Sequence, residues 1–286
     1  MKHQIDPKVD CVFKALLGAE ENRNLLIHFL NAVLGEDLEA PIVTVEILNP
    51  YNEKEFIDDK LSVVDVKARD EQGRLYQIEV QLSNFEALRA RIAYGWADLY
   101  SGQLRSGQDY RELRPTYAIW LLRDPLLHKE IQAIHDFRLR DRKGRLLLNC
   151  GGIWVLELSK MTLDQVVNEQ QRWLKFFREG EQLNDASPLP EWMNTDEMRQ
   201  AMNTLRQFSE KERNYHIYQA RQNYLRQQMT IQKEMEAAVQ AKAAALRREA
   251  AALQEKDAAL QEKDAALQEK DAALAEIERL KALLRG

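Results

Sequence analysis

The chain has few cysteines and no long apolar run. Cys11 and Cys150 are the two cysteines among 286 residues, far apart and at no metal-ligand spacing, so we expect a reduced, cytoplasmic protein. The opening MKHQIDPKVD lacks the apolar segment of a signal peptide, and no stretch approaches the length of a membrane span. We therefore expect neither export nor membrane insertion.

The sequence also lacks an excess of positive charge and an obvious catalytic motif. A net charge of -5 argues against a protein that coats DNA through overall cationic charge, although a local basic groove remains compatible with it. Its histidines are scattered with no partner at metal spacing, and it has neither a glycine-rich phosphate loop nor a nucleophile–base arrangement. With 45% hydrophobic residues, the chain is long enough for one sizeable core with an accessory segment.

Residues 61–81, LSVVDVKARDEQGRLYQIEVQ, alternate in a way that predicts two antiparallel strands around a tight polar turn. The turn, DEQG at 70–73, is typical of a type I turn followed by a glycine in the left-handed region, which makes a bulged hairpin. In that register Asp65 lies across from Glu79, with their Cβ atoms about 5 Å apart. Gln81 lies on the same face as Glu79.

Two carboxylates that face each other repel unless a cation or a proton lies between them. Such a pair suits Mg²⁺, which prefers oxygen ligands, keeps several waters and needs only one or two carboxylates. A metal on Asp65 and Glu79 would polarise a phosphoryl oxygen and activate a water, while the Gln81 amide would orient that water or donate to the phosphate. The alternative is a solvated face of an amphipathic hairpin, and on spacing alone that alternative is favoured.

Helix and strand signals alternate along the first 180 residues. The patterns predict helices at 7–17, 20–34, 85–105 and 163–177, strands at 42–48 and 116–122, and a second hairpin at 137–158 that turns at 141–144. The resulting order is helix, three strands, helix and strand, followed by the second hairpin and a further helix.

The composition changes near 180–195, where prolines and small polar residues accumulate. We therefore divide the chain into a main domain at 1–185, a helical accessory region at 186–229 and a heptad-repeat helix at 230–286. Tyrosines interleaved with arginines in the accessory region would suit nucleic acid, but an amphipathic helix pair that packs on the core is the favoured interpretation.

The C-terminal region repeats itself. AALQEKD occurs unchanged at 251–257, 258–264 and 265–271, and leucine recurs every seven residues from Leu246 to Leu274. That spacing is typical of a coiled coil, but neither heptad assignment of the leucines gives two apolar positions per heptad. We expect a long helix that self-associates weakly, as a dimer or a higher coil, with a length-variable spacer as the alternative.

A run of cations is placed on the second hairpin, at Arg138, Arg140, Arg142 and Lys143. These side chains would either contact DNA phosphates or form an ordinary charged turn, and the sequence does not choose between the two.

Three segments resemble the PD-(D/E)XK nuclease family transposases, also called recombination-promoting nucleases. They are DPKVDCVFKALLG, DDKLSVVDVKARDEQGRLYQIEVQ and RIAYGWADLYSGQLRSGQDYRELRPTYAIWLL, and the middle one is the specific part. The resemblance implies an α/β, restriction-endonuclease-like fold with an αβββαβ core and a mixed sheet. Here that core is followed by a C-terminal helical extension and the long heptad-repeat helix.

By that resemblance, Asp65 matches the motif aspartate and Glu79 the second acid, and both would hold the metal. Gln81 occupies the position where most nucleases of this superfold carry lysine. Because glutamine brings a dipole rather than a charge, we expect slow turnover. Asp10 matches an N-terminal acidic position and is expected to assist the metal.

The function that the resemblance implies is a Mg²⁺-dependent DNA endonuclease, with Mn²⁺ as a possible substitute, in DNA recombination or mobile-element biology. Asp65, Glu79 and Gln81 are its expected catalytic residues, and Lys14 and Lys67 join the basic run as expected DNA contacts. The alternative is a non-catalytic interaction protein that retains the nuclease fold and oligomerises through its C-terminal helix.

Overall fold

A computed structural model describes residues 1–48, 65–161, 165–183 and 189–283. The chain divides into two compact units, Met1–Tyr224 and Leu225–Gly286. The hairpin positions 61–64 and the predicted boundary between 185 and 186 lie outside the described residues. In chain order, the helices and strands are α1 Asp10–Leu17, α2 Arg23–Leu34, β1 Val45–Ile47, β2 Val66–Asp70, β3 Leu75–Gln81, α3 Leu88–Ser101, β4 Thr116–Leu122, β5 Ile134–Phe137, β6 Gly151–Glu157, α4 Glu169–Glu179, α5 Asp196–Glu210 and α6 Glu212–Leu283.

The described strands form one mixed sheet in the order β1-β2-β3-β4-β6-β5. The first three strands make an antiparallel meander, β4 adds parallel to β3, β6 adds parallel to β4, and β5 closes the edge antiparallel to β6. The predicted α/β class and the order of helix, three strands, helix and strand are thus confirmed. This architecture is consistent with a PD-(D/E)XK nuclease fold.

Strand β4 lies in the middle of the sheet, and all seven of its residues are buried, as the apolar run TYAIWLL predicts. Helix α3 covers one face of this central region. Its Leu88 and Ile92 pack with Ala118, Trp120 and Val155 from the sheet. The crossover from β3 to β4 therefore places α3 over the central strands.

A second layer of helices joins through aromatic side chains. Phe29 from α2 makes edge contacts with Trp173 and Phe177 from α4, and Phe13 from α1 contacts the same Phe177. Helix α5 buries an apolar side against α1 and α2. The interpretation of residues 196–229 as helices that pack on the core is confirmed for α5.

The first turns of α6 also join the larger unit. Tyr218 is buried, and its hydroxyl oxygen accepts a hydrogen bond from the backbone N–H of Asp6 at 3.0 Å. In the Leu225–Gly286 unit, by contrast, every described side chain from 233 to 281 is exposed. None of the helices in the described ranges combines the length and the apolarity that a membrane span requires.

Three predicted helix boundaries were wrong. Helix α1 begins at Asp10 rather than at Pro7, because the Asp6 carboxylate accepts a hydrogen bond from the Lys8 backbone N–H and closes a separate turn. Helix α3 is shorter than 85–105. In α4, the Asn168 side chain accepts from the Gln171 backbone N–H, and this cap starts the helix at 169.

Candidate active site

The hairpin formed by β2 and β3 places Asp65 opposite Glu79. Val66 pairs with Ile78 across the two strands, so the preceding residue, Asp65, faces the following one, Glu79. At the turn, Gly73 has φ +79° and its N–H donates to the Asp70 carbonyl oxygen, as the predicted bulged turn requires. The predicted register is therefore confirmed.

Glu79 is buried, with 4% of its surface exposed. Its Oε1 accepts a hydrogen bond from Gln77 Nε2 at 3.1 Å, and its Oε2 lies 3.7 Å from Arg91 Nη2. Burial, and after it the negative charge of Asp65, raise the pKa of Glu79 to about 8. At neutral pH this carboxyl therefore favours its protonated form unless a cation joins it.

Asp65 is held from two sides. Its Oδ2 accepts a hydrogen bond from the Val80 backbone N–H at 3.0 Å, and its Oδ1 lies 3.5 Å from Lys14 Nζ. Burial raises the pKa of Asp65 above its ordinary value, and the Asp10 carboxylate adds to that rise. The Val80 N–H and the Lys14 ammonium act in the opposite direction. Lys14, expected as a DNA contact, thus lies beside the candidate metal ligand.

Asp10 is close enough to influence Asp65 electrostatically, but it has a partner of its own. Arg221 from α6 donates through Nε to Asp10 Oδ1 at 2.8 Å. Among the described residues, no three His, Cys, Asp or Glu side chains are grouped so that they would hold a metal ion. The structure therefore does not bring Asp10 into one ligand cluster with Asp65 and Glu79.

Gln81 is tethered at both ends of its side-chain amide. Its Nε2 donates to the Ser83 carbonyl oxygen at 2.7 Å, and its Oε1 accepts from Arg91 Nη1 at 3.4 Å. The Arg91 guanidinium also lies over the Trp120 ring, 5.4 Å from the centroid. Arg91 therefore connects Glu79 and Gln81 with one positive charge.

Three residues at the site, Arg91, Gln77 and Arg221, have no role in the sequence-based predictions. Arg91 opens the third resembling segment, RIAYGW, so a signal was available. Gln77 lies two residues before Glu79 on the same face, and its position suggested only an alternating strand. It is 1% exposed, its Oε1 has no hydrogen-bond partner among the described residues, and Gly95 on α3 leaves room for its amide. The sequence around Arg221 contains no pattern that would predict its contact with Asp10.

The cations of the second hairpin divide into two groups. Arg138 lies over the Trp154 ring at 4.6 Å and pairs with Asp37 at 2.5 Å, with 10% of its side chain exposed. Arg140, Arg142 and Lys143 are exposed around the turn. The structure therefore places Arg138 in a packed ion pair, away from the role of DNA contact that the sequence suggested.

Lys67 lies on β2 opposite Gln77 and is partly exposed. It therefore shares the sheet face of Glu79, and its position is compatible with the expected phosphate contact.

The two facing carboxyls fit a hard divalent cation. They supply the oxygen donors that Mg²⁺ and Mn²⁺ prefer, and both pKa values are raised because burial leaves the two negative charges poorly compensated. The closest cationic groups in the described part of the site lie 3.5 Å and 3.7 Å away, beyond ordinary hydrogen-bond contact. An ion held by this pair would complete its coordination with water or phosphate oxygens.

Comparisons with known proteins agree with the resemblance. A family model described as PD-(D/E)XK nuclease family transposase matches residues 7–234, which is well over half of the chain. Searches of curated proteins and of solved structures gave no significant match. The chain belongs to the PD-(D/E)XK nuclease family transposases.

Proposed function

We infer that the protein is a divalent-metal-dependent DNA endonuclease that uses Mg²⁺ or Mn²⁺ and acts in DNA recombination or on mobile elements. The observation that carries this inference is the buried pair of facing carboxyls, Asp65 and Glu79, in a chain of this nuclease family. A hairpin without a catalytic task gains nothing from burying two acids that repel each other.

Asp65 and Glu79 would hold the metal, which when bound would supply Lewis-acid polarisation of a phosphoryl oxygen and a more acidic water. Asp65 keeps its orientation through the Val80 N–H. Glu79 must give up a proton to act as a ligand, because its raised pKa keeps it protonated near neutral pH. Asp10, paired with Arg221, assists through its charge rather than as a direct ligand.

The positive charge that most nucleases of this superfold draw from lysine would come here from Arg91. Gln81 is tethered to Ser83 and Arg91, so its role is to fix the position of the guanidinium. About half of the Arg91 side chain is exposed, which leaves it accessible to a phosphate oxygen. Lys14, Lys67, Arg140, Arg142 and Lys143 are the cations that we assign to the DNA backbone.

The test is nicking of supercoiled plasmid DNA by the purified full-length protein with Mg²⁺ or Mn²⁺. We expect nicking by the wild type, loss with Asp65→Ala and Glu79→Ala, and no change with Glu46→Ala, whose exposed carboxylate lies on β1. Equal nicking by wild type and Asp65→Ala, or no cleavage with any divalent metal, would refute the inference.

The second candidate is a non-catalytic interaction protein that retains the nuclease fold. The tethered Gln81 in place of lysine and the long exposed part of α6 favour it. Calorimetric titration with Mn²⁺ separates the two, because a scaffold has no reason to bind the ion at Asp65. Binding that disappears in Asp65→Ala supports the nuclease, and its absence in wild type supports the scaffold.

A further inference from the structure

The Leu225–Gly286 unit carries a row of exposed leucines along one helix. The row consists of Leu246, Leu253, Leu260, Leu267 and Leu274, each between 51% and 60% exposed. Because α6 is helical throughout this stretch and the spacing is seven residues, these side chains lie along one line. A regular line of exposed leucines, on a helix whose other residues in the repeats are alanine, glutamine and charged residues, indicates a surface that another molecule covers.

Charged residues flank the leucine line in a fixed pattern. In a helix wound to a seven-residue repeat, the residues three and four positions after a leucine lie about 50° to either side of it. After Leu253 these are Lys256 and Asp257, and the next two heptads repeat the pair as Lys263 with Asp264 and Lys270 with Asp271. All six of these side chains are exposed. From Leu253 to Asp271, one side of the leucine line is therefore basic and the other side acidic.

This asymmetry distinguishes between the two ways in which identical helices pair. In a parallel pair, the twofold axis runs along the helices, so the lysine side of one copy meets the aspartate side of the other at both edges. In an antiparallel pair the axis is perpendicular to the helices, and lysine meets lysine while aspartate meets aspartate. Charges at such flanking positions set partner orientation in coiled coils.

We propose that the leucine line of 246–274 binds the same line of a second copy of this chain in parallel orientation, with Lys–Asp pairs between copies at both edges. Each heptad has one leucine rather than the two apolar positions of an ordinary coiled coil. The flanking Lys–Asp pairs compensate for the missing apolar contact, so that helices built from AALQEKD repeats pair with each other. This pairing does not depend on the proposed nuclease activity.

The length of the leucine line selects the register. Identical heptads give a shift of seven residues similar contacts within the repeats. Such a shift leaves one end leucine of each copy's line without a partner leucine, so the in-register pair buries the most apolar surface.

The first experiment changes the flanking charges in the full-length protein. An acidic variant carries Lys256→Glu, Lys263→Glu and Lys270→Glu, and a basic variant carries Asp257→Lys, Asp264→Lys and Asp271→Lys. Sedimentation equilibrium should show a wild-type dimer, and each variant alone should dissociate at least about tenfold more readily, because both edges then repel. An equimolar mixture of the two variants should restore the dimer, which shows that each variant is still folded.

The second experiment determines orientation by oxidative cross-linking of Leu246→Cys and of Leu274→Cys. In a parallel pair, the introduced cysteine forms a disulfide with the same residue of a second copy of that variant. Peptide mass spectrometry distinguishes this disulfide from any that involve the native Cys11 and Cys150. An antiparallel pair centred on Leu260 would instead join position 246 to position 274 in a mixture of the two. The proposal would be overturned by a cross-link between positions 246 and 274. It would also be overturned by a monomeric wild type, or by charge variants that dimerise as strongly as the wild type.

Discussion

Arg91 and Glu79 approach each other across the α3–β3 interface, with 3.7 Å between Nη2 and Oε2. The guanidinium lowers the pKa of Glu79, but burial and Asp65 raise it more, so the carboxyl remains a weak acid at about 8. One arginine therefore relieves the repulsion of the carboxyl pair only in part. This partial compensation leaves a place for a cation and makes the site sensitive to pH.

The stability of the metal-free protein should depend on the protonation of Glu79. The folded-state pKa of about 8 lies above the ordinary value of 4.5, so protonated Glu79 contributes stability that is present at low pH and lost as pH rises through 8. Glu79→Gln keeps a neutral side chain at every pH. We therefore expect its advantage in unfolding free energy over wild type to grow by at least about 1 kcal/mol between pH 5 and pH 9.

Thermal unfolding of both proteins across this pH range, with a chelator present, measures the effect. Glu46→Gln on β1, where the side chain is 68% exposed, is the matched control and should show no such trend. A constant difference between Glu79→Gln and wild type would contradict the raised pKa.

Removing the guanidinium should slow DNA cleavage. Arg91→Ala deprives the site of the charge that reaches Glu79 and Gln81, and we expect nicking to fall by about 10- to 100-fold. Arg89→Ala, on the same helix but bonded to the Leu126 carbonyl oxygen, is the control and should remain near wild type. Adding Gln81→Lys to Arg91→Ala should recover part of the rate. Equal rates for Arg91→Ala and Arg89→Ala would exclude a role for Arg91.

The exposed cations of the second hairpin should determine part of the salt dependence of DNA binding. Replacing Arg142 and Lys143 with alanine should weaken binding at all sequences alike and reduce the slope of log K against log salt by about 2. The control is Arg247→Ala with Arg248→Ala in the Leu225–Gly286 unit. An unchanged slope, measured by fluorescence anisotropy on duplex DNA, would show that the turn is an ordinary charged loop.

Arg138→Ala should instead lower stability, because its side chain packs on Trp154.

The start of β6 should tolerate no side chain. Gly151 has φ +81°, and a Cβ there would lie 2.1 Å from the Thr116 carbonyl oxygen on β4. We expect Gly151→Ala to destabilise the fold by more than about 3 kcal/mol. Gly107 has φ +86°, and no atom in the described part of the chain lies within 4 Å of its Cβ position, so Gly107→Ala should cost about 1–2 kcal/mol through backbone strain alone. Urea unfolding of both variants measures the difference, and equal losses would contradict the contact between β4 and β6.

The register of the hairpin was accessible from sequence because strand alternation and turn chemistry are local. The polar turn with glycine at Gly73 specifies the bulge, and the period of two then places Asp65 opposite Glu79. Strand β4 was equally clear, since a short, nearly all-apolar run rich in aromatic and β-branched residues is typical of a strand buried on both faces. The first residue of a helix was harder to predict from the sequence, because one capping side chain, such as that of Asn168 before α4, decides where the helix begins.

The sequence by itself determined the turn and register of the hairpin, the central strand and the helical character of the C-terminal repeats, because those patterns repeat over distances that the chain spans locally. Only the tertiary structure decided what surrounds the carboxyl pair. Lys14 comes from α1, Arg91 from α3 and Arg221 from α6, and they converge because the sheet and its helical layers bury apolar faces together. The pKa of Glu79 follows from that convergence, since burial removes water from a carboxyl whose neighbours are contributed by distant parts of the chain.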